Sequence, residues 1–231
     1  MTAASDCSNP SIDHKGEMAK QPTSVTPVYS SDVAFTPAVK AIQSQKGSRK
    51  GYASMEQRGS WETHITPDLA EFIADQTSVF LGTASHDRQP YIQHRGGPPG
   101  FLTVLDDKTI AFADFAGNRQ YITLGNLTEN PKAFLFLIDY KNRQRVKIWG
   151  EARFVEDDPA LIKKLKPEGY RARVEQAILF TVSAWDSNCP QHIPQRFEAA
   201  EVAAMLAERD KRIETLTKEL EQLRKAGTSG P

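Results

Sequence analysis

The chain has 231 residues, enough for one domain with a sizeable core and extra pieces. Its 29 basic and 29 acidic side chains cancel, so no net field draws it to nucleic acid or an anionic membrane. No apolar run reaches the ~18 residues of a membrane span, and two cysteines, Cys7 and Cys189, make no disulfide framework. A reducing cytoplasm fits this composition. The first residues carry Asp6, Asp13 and Glu17, with no Arg before Arg49 and no signal-type apolar core, which argues against a targeting peptide.

Residues 1–50 are rich in Ser, Thr, Pro, Gln and Lys without a sustained period, and read as a flexible N-terminal arm. Tyr29, Val33, Phe35 and Val39 would let part of it dock as a short helix or strap. A folded domain over 51–197 has its first helix at Thr66-Pro67-Asp68, which offers an N-cap, a proline at the first helical position and an acid in the first turn. Leu69, Phe72 and Ile73 line one face of that helix, which ends near Gln76. Seven β-type runs follow: 79–85, 90–95, 101–105, 109–113, 133–139, 145–155 and 177–184. Turn residues such as 85–88 and 106–108 separate several of them. Six or seven short strands with helices in the long connections predict a mainly β (α+β) protein, a closed antiparallel barrel rather than a doubly wound sheet. The region 198–231 reads as an amphipathic helix and tail, with the helical pattern running from Arg196 to Lys225 and ending at Gly227. Val202, Leu206, Ile213, Leu216, Leu220 and Leu223 fall at 4-3 spacing, interrupted at Arg209, as in a short coiled coil.

The segment from Gln89 to Pro131 carries most of the functional signal. Two strands flank the Gly-Pro loop 96–100, and the polar turn Gly117-Asn118-Arg119-Gln120 opens a short helix. A helix start with an Arg beside it is a ready anion site, because free N–H groups and a guanidinium converge there. The order of pieces, from QPY through FAD and GNRQ to Asn130-Pro131, resembles the pyridoxamine 5'-phosphate oxidase family from about Thr66 to Phe197. That resemblance implies a six- to seven-stranded Greek-key split β-barrel, FMN as cofactor and a homodimer with a shared flavin site.

The resemblance also implies site residues. Asn118, Arg119 and Gln120 stand where the family has a Ser-Arg-Lys triplet around the phosphate, so Arg119 matches and its neighbours depart. Gln93, His94, Arg95 and Gly96 fall on the family's flavin-lining strand, with Gln93 replacing its leading Arg and Arg95 two residues on, facing the same way. His94 reads more readily as an ordinary, satisfied barrel residue than as a catalyst. Gly96 and Gly97 serve either as a strand connection or as a close approach to a ligand. Ala113 and Asp114 replace an aromatic-hydroxyl pair. Asp114, whose carboxylate would repel a phosphate, is expected to point away, pair with an Arg or meet a flavin N–H. Gln144 or Arg145 reaches the flavin's pyrimidine edge, the register leaving both open. Trp185 and Arg196 match a Trp and an Arg that reach the flavin from the neighbouring subunit.

The expected activity is hydride or electron transfer between FMN and an unidentified small molecule. No catalytic residue is identifiable. The departures at Gln93, Asp114 and Gln120 point away from pyridoxamine phosphate oxidation itself. Three alternatives stay open: a split barrel holding haem or a deazaflavin, a non-enzymatic module that grips a partner, and a nucleic-acid surface resting on the alternating Lys141, Arg143, Arg145 and Lys147. Cys189 and His192 have C-x-x-H spacing but no second pair to complete a zinc site, so no metal is expected.

Overall fold

A computed structural model describes residues 28–187 and 190–227. Seven strands form one antiparallel sheet: β1 (Ser78–Ala84), β2 (Pro90–Gly96), β3 (Leu102–Val104), β4 (Thr109–Phe115), β5 (Lys132–Asp139), β6 (Gln144–Val155) and β7 (Val174–Ser187). Their order is β2-β1-β5-β6-β7-β4-β3, so β1 pairs with β5 and β4 with β7 across long connections, in Greek-key fashion. The sheet curls into the expected split barrel. Alternation sets its interior: Val79 and Leu81 on β1, Leu135 and Leu137 on β5 and Ile148 on β6 meet Ile110, Phe112, Ile178 and Phe180 inside. Strand β6 bends over β7 at a bulge between Trp149 and Gly150. A Cβ on Gly150 would stand 2.1 Å from the Thr181 carbonyl, so only glycine allows this crossing.

Helix α3 (Pro67–Ala74) starts where expected, with Thr66 Oγ1 accepting from the Leu69 N–H, and buries Leu69 and Ile73 over one barrel end. Helix α4 (Ile122–Glu129) connects β4 to β5, and α5 (Pro159–Leu165) is capped by Asp158 Oδ1.

The N-terminal segment departs from the flexible reading over its second half. After a 3-10 turn at Ser30–Val33 come α1 (Pro37–Gln45) and α2 (Arg49–Gln57). What holds them is polar and local, which hydrophobic periodicity does not register. Glu56, its side chain 1% exposed, accepts from Arg49 and lies 3.4 Å from both Lys40 Nζ and Ser31 Oγ. Aromatic contacts then carry the segment onto the barrel: Phe35 packs on Trp61, and Trp61 stacks on Trp149 of β6 at 4.8 Å. Residues 1–27, including Cys7, lie outside the described residues.

Helix α6 (Ala199–Gly227) has 29 residues, and near its start Glu201 pairs with Lys141 of the barrel. None of the described helices is long and apolar enough to cross a membrane.

Candidate functional site

The period-two alternation of β2 turns Tyr91, Gln93 and Arg95 one way and Ile92 and His94 the other. The first group, with Asp114 and Phe115 from β4, Glu175 and Gln176 from β7 and Phe154 from β6, lines a cleft of about 200 Å³. Residues Gly117–Leu124, the polar turn and the start of α4, form its rim.

The turn is built from unusual backbone. Arg119 and Tyr121 both have left-handed φ, 59° and 54°, and Asn118 Oδ1 accepts from the Gln120 N–H. No side chain caps α4, so the N–H groups of its first turn face the cleft rim without a capping partner. Arg119 is exposed; its Nε donates to Tyr121 Oη at 3.0 Å. That bond, and then Glu175's charge, hold its guanidinium above even its usual basicity. It is a permanent cation at the mouth of the cleft.

Deeper in, Arg95 Nη1 pairs with Asp114 Oδ1, and Gln176 Nε2 donates to Asp114 Oδ2 at 2.9 Å. This trio has a consequence for ligands. Arg95 Nε is buried with no hydrogen-bond partner among the described residues, an N–H that an acceptor entering the cleft would satisfy. Thr123 Oγ1 donates to Gln93 Oε1 at 2.8 Å, which fixes a hydroxyl and an amide on the same wall.

Of the sequence-predicted residues, Gln93, Arg95, Asp114, Asn118, Arg119 and Gln120 come together here. Four others do not. His94 lies on the opposite face of β2, its Nε2 3.0 Å from Ser78 Oγ and its ring edge-on to Phe80. Gly96 ends that strand, and a Cβ there would crowd His94 and the Thr77 carbonyl. Its neighbour Gly97 serves core packing, since a Cβ there would stand 2.6 Å from Phe101. Ala113 is buried with Ala111, Leu165 and Ala177, behind the strand that presents Asp114. Arg196 stacks on Tyr140, 4.6 Å from ring centre, outside the cleft.

Gln144, Arg145 and Trp185 meet in a second cleft of about 320 Å³, walled by Leu69, Phe72 and Val146. It shares no lining residue with the first. Trp185 is fixed there by its Nε1–H, which donates to the His64 carbonyl at 2.8 Å. The basic stripe is divided: Lys141 to Arg143 fall in the β5–β6 turn, Lys141 pairs with Glu201, and Lys147 pairs with Asp186 at 2.8 Å. His192 is exposed in a left-handed turn, while Cys189 and Asn188 lie outside the described residues.

Tyr91, Phe154, Thr123, Glu175 and Gln176 were not singled out by sequence. Gln176 reaches the site because β7 pairs with β4 so that it stands opposite Asp114, a register no local pattern contains. Thr123 carried a signal, as a hydroxyl in the first turn of the helix beside the anion turn.

The sequence pattern of the pyridoxamine 5'-phosphate oxidase family matches residues 65–189, more than half of the chain. The chain belongs to that family. No curated protein matches its sequence. Among solved structures, it is similar to HupZ of Group A Streptococcus, 19% identical over 58% of this chain and 99% of that one, with a TM-score of 0.44. A putative pyridoxamine 5'-phosphate oxidase of Lactobacillus delbrueckii is 22% identical over 54% of this chain and 95% of its own, at a TM-score of 0.41. An FMN-binding protein of Syntrophomonas wolfei is 14% identical over 63% and 97%, also at 0.41. All three cover little more than half of this chain and nearly all of their own.

Proposed function

We propose that this member of the family binds FMN at the interface of a homodimer and works as an oxidoreductase on a small molecule. The observation that carries the reading is the first cleft. Arg119 at its mouth, the Nε of Arg95 at its base, which has no partner among the described residues, and the uncapped first turn of α4 converge on one small space. These are the donors a phosphate monoester needs. Two carboxylates, Asp114 and Glu175, share that space, so its charge is balanced rather than strongly positive. A single phosphate-bearing ligand fits such a balance better than a polyphosphate.

The second cleft complements the first. Leu69, Phe72 and Trp185 give an apolar wall, and Gln144 and Arg145 give a polar edge, which suit a flat ring with carbonyl and imide groups on one side. Because the two clefts share no residue, we infer that one chain supplies the phosphate end and its partner the ring edge. An apolar outer face supports a partner. Phe80, Ile92, Phe134, Phe136 and Trp149 line a groove of about 870 Å³ on the side of the sheet facing away from the core, and Ile92 is 69% exposed.

When bound, FMN supplies the redox chemistry itself. The chain's residues would anchor the phosphate, hold the ring's orientation and set the polarity at its edge, where charge develops on reduction. Gln93, Asp114 and Gln120 weaken the phosphate grip relative to the family pattern, which supports a substrate other than pyridoxamine phosphate. A chain with two cysteines also suits a reducing cytoplasm.

The test is the absorption spectrum of the purified protein, followed by mass spectrometry of the released ligand. Flavin bands and the mass of FMN are expected. A haem or deazaflavin spectrum, or a colourless protein that stays empty on adding FMN, overturns the assignment.

A further inference from the structure

Helix α6 leaves the barrel at the β5–β6 turn, where Lys141 pairs with Glu201 and Gln195 Nε2 donates to the Lys141 carbonyl. Tyr140 of the same turn lines the rim of the outer apolar groove. The helix thus springs from the edge of the face that a second chain would cover. Beyond that anchor, Val202, Leu206, Ile213, Leu216, Leu220 and Leu223 stay 40–69% exposed. Positions 202, 206, 209, 213, 216, 220 and 223 alternate steps of four and three, the 3.5-residue repeat that fits another helix of the same repeat.

We propose that α6 pairs with α6 of a second copy, and that the two run antiparallel. Arg209 decides the direction. In a parallel pair, residues of the same number face each other, so two guanidiniums would meet inside the seam. Nothing on the same helix would neutralise them, because the residues three and four away from Arg209 are Met205, Leu206, Arg212 and Ile213. In an antiparallel pair centred between Ile213 and Leu216, Leu206 lies opposite Leu223 and Arg209 opposite Leu220 of the second copy. Glu219 of the second copy then lies beside both Arg209 and Arg212, and opposite charges meet where like charges met before. The two Arg209 side chains stand eleven residues apart along the axis, about 16 Å, well beyond the ~8 Å screening length in physiological salt.

The pairing does not rest on the flavin reading. Its test uses full-length chains in a Cys7→Ser/Cys189→Ser background, one bearing Leu206→Cys and the other Leu223→Cys. Both positions are solvent-exposed in the single chain, so the barrel tolerates them. On mild oxidation, disulfides are expected between unlike chains and not within either population alone. Disulfides within each population would show a parallel pair, and none in any mixture would show an unpaired seam; either result overturns the proposal. A spin label on Glu208→Cys gives an independent reading. Labels of an antiparallel pair are displaced by about 20 Å along the axis, whereas those of a parallel pair sit side by side. The flavin absorbance of each variant, followed in parallel, separates failure of this pairing from failure of the FMN assignment.

Discussion

Asp114 sets an internal competition in the first cleft, the proposed phosphate site. Its carboxylate holds Arg95 and is held in turn by Gln176, so an incoming phosphate meets one guanidinium already engaged and one, Arg119, at the exposed mouth. Two predictions follow from that asymmetry. Replacing Arg119 with Ala removes a charge-assisted bond made only with the ligand, a loss of about 1.5–3 kcal/mol or ten- to a hundredfold in FMN affinity. Unchanged affinity on titration would sink Arg119 as the phosphate contact. Asp114→Asn acts in the opposite direction on binding: Arg95 is released to the phosphate and affinity rises, about tenfold for a gain of about 1.4 kcal/mol. The same change lowers stability, because it strips a largely buried guanidinium of its counter-charge. Titration and thermal melting should therefore move oppositely, and a variant that binds FMN more weakly than the parent refutes the competition. Part of this arrangement is legible in sequence. The 118–120 turn announces itself by turn chemistry, Gln93 and Asp114 by the family resemblance and Arg95 by its alternation with Gln93, and pairing with an Arg is among the roles open to Asp114. The choice of partner was not legible, since Arg95 and Asp114 lie on β2 and β4, which do not pair with each other, and only the curl of the sheet brings them together.

At the level of elements, the strands were readable and the N-terminal helices were not. Each predicted strand lies within a few residues of an observed one, because alternation and turn residues record a half-buried sheet directly. Helices α1 and α2 instead dock through Glu56, Arg49 and Lys40, charged residues that read as solvated surface until the fold buries one of them. Their clamp can be dissected. Glu56→Ala leaves Arg49 and Lys40 without the shared acceptor and should cost about 2 kcal/mol of docking free energy, as for hydrogen bonds to charged groups. Cleavage by protease between α1 and α2 is the readout, and unaltered resistance would count against the clamp. Acid should act on the same strap. Lys40, and after it the Tyr29 N–H, hold Asp32 below the usual carboxylate range, and Asp32 in turn raises Lys40. A depressed carboxylate stabilises the docked state above its ordinary titration range and loses that effect as the pH falls through its lowered value. A raised ammonium contributes fully below its ordinary value and loses the effect only in strong alkali. Docking should therefore hold across neutral pH and loosen in acid, with Trp61 leaving Trp149 and its fluorescence reporting the change. A constant signal down to the point where the barrel itself unfolds would show that this ion pair does not govern the strap.

At the scale of the whole molecule, the proposed phosphate end and the proposed ring edge lie in two clefts with no lining residue in common, and this separation makes the proposed dimer testable by complementation. Suppose one chain supplies the phosphate end and its partner the ring edge. A chain with Arg119→Ala then spoils the first cleft and keeps the second, whereas a chain with Gln144→Ala and Arg145→Ala does the reverse. Each variant alone forms dimers in which both sites carry one damaged half, and both should bind FMN weakly. In a mixed dimer the damage collects in one site, and the other is assembled from two intact halves. Mixing after subunit exchange should therefore restore FMN binding at parent affinity in one site per mixed dimer, half of its full capacity. If each site were built within one chain, mixed dimers would still hold two damaged sites, and mixing would restore nothing. The double substitution covers both residues that the register left open at the flavin edge, so either one as the true contact gives the same result. Binding is read from quenching of flavin fluorescence against the fraction of mixed dimer, obtained by tagging the two chains differently. Recovery that rises with that fraction supports the shared site, and a flat response at complete exchange rejects it.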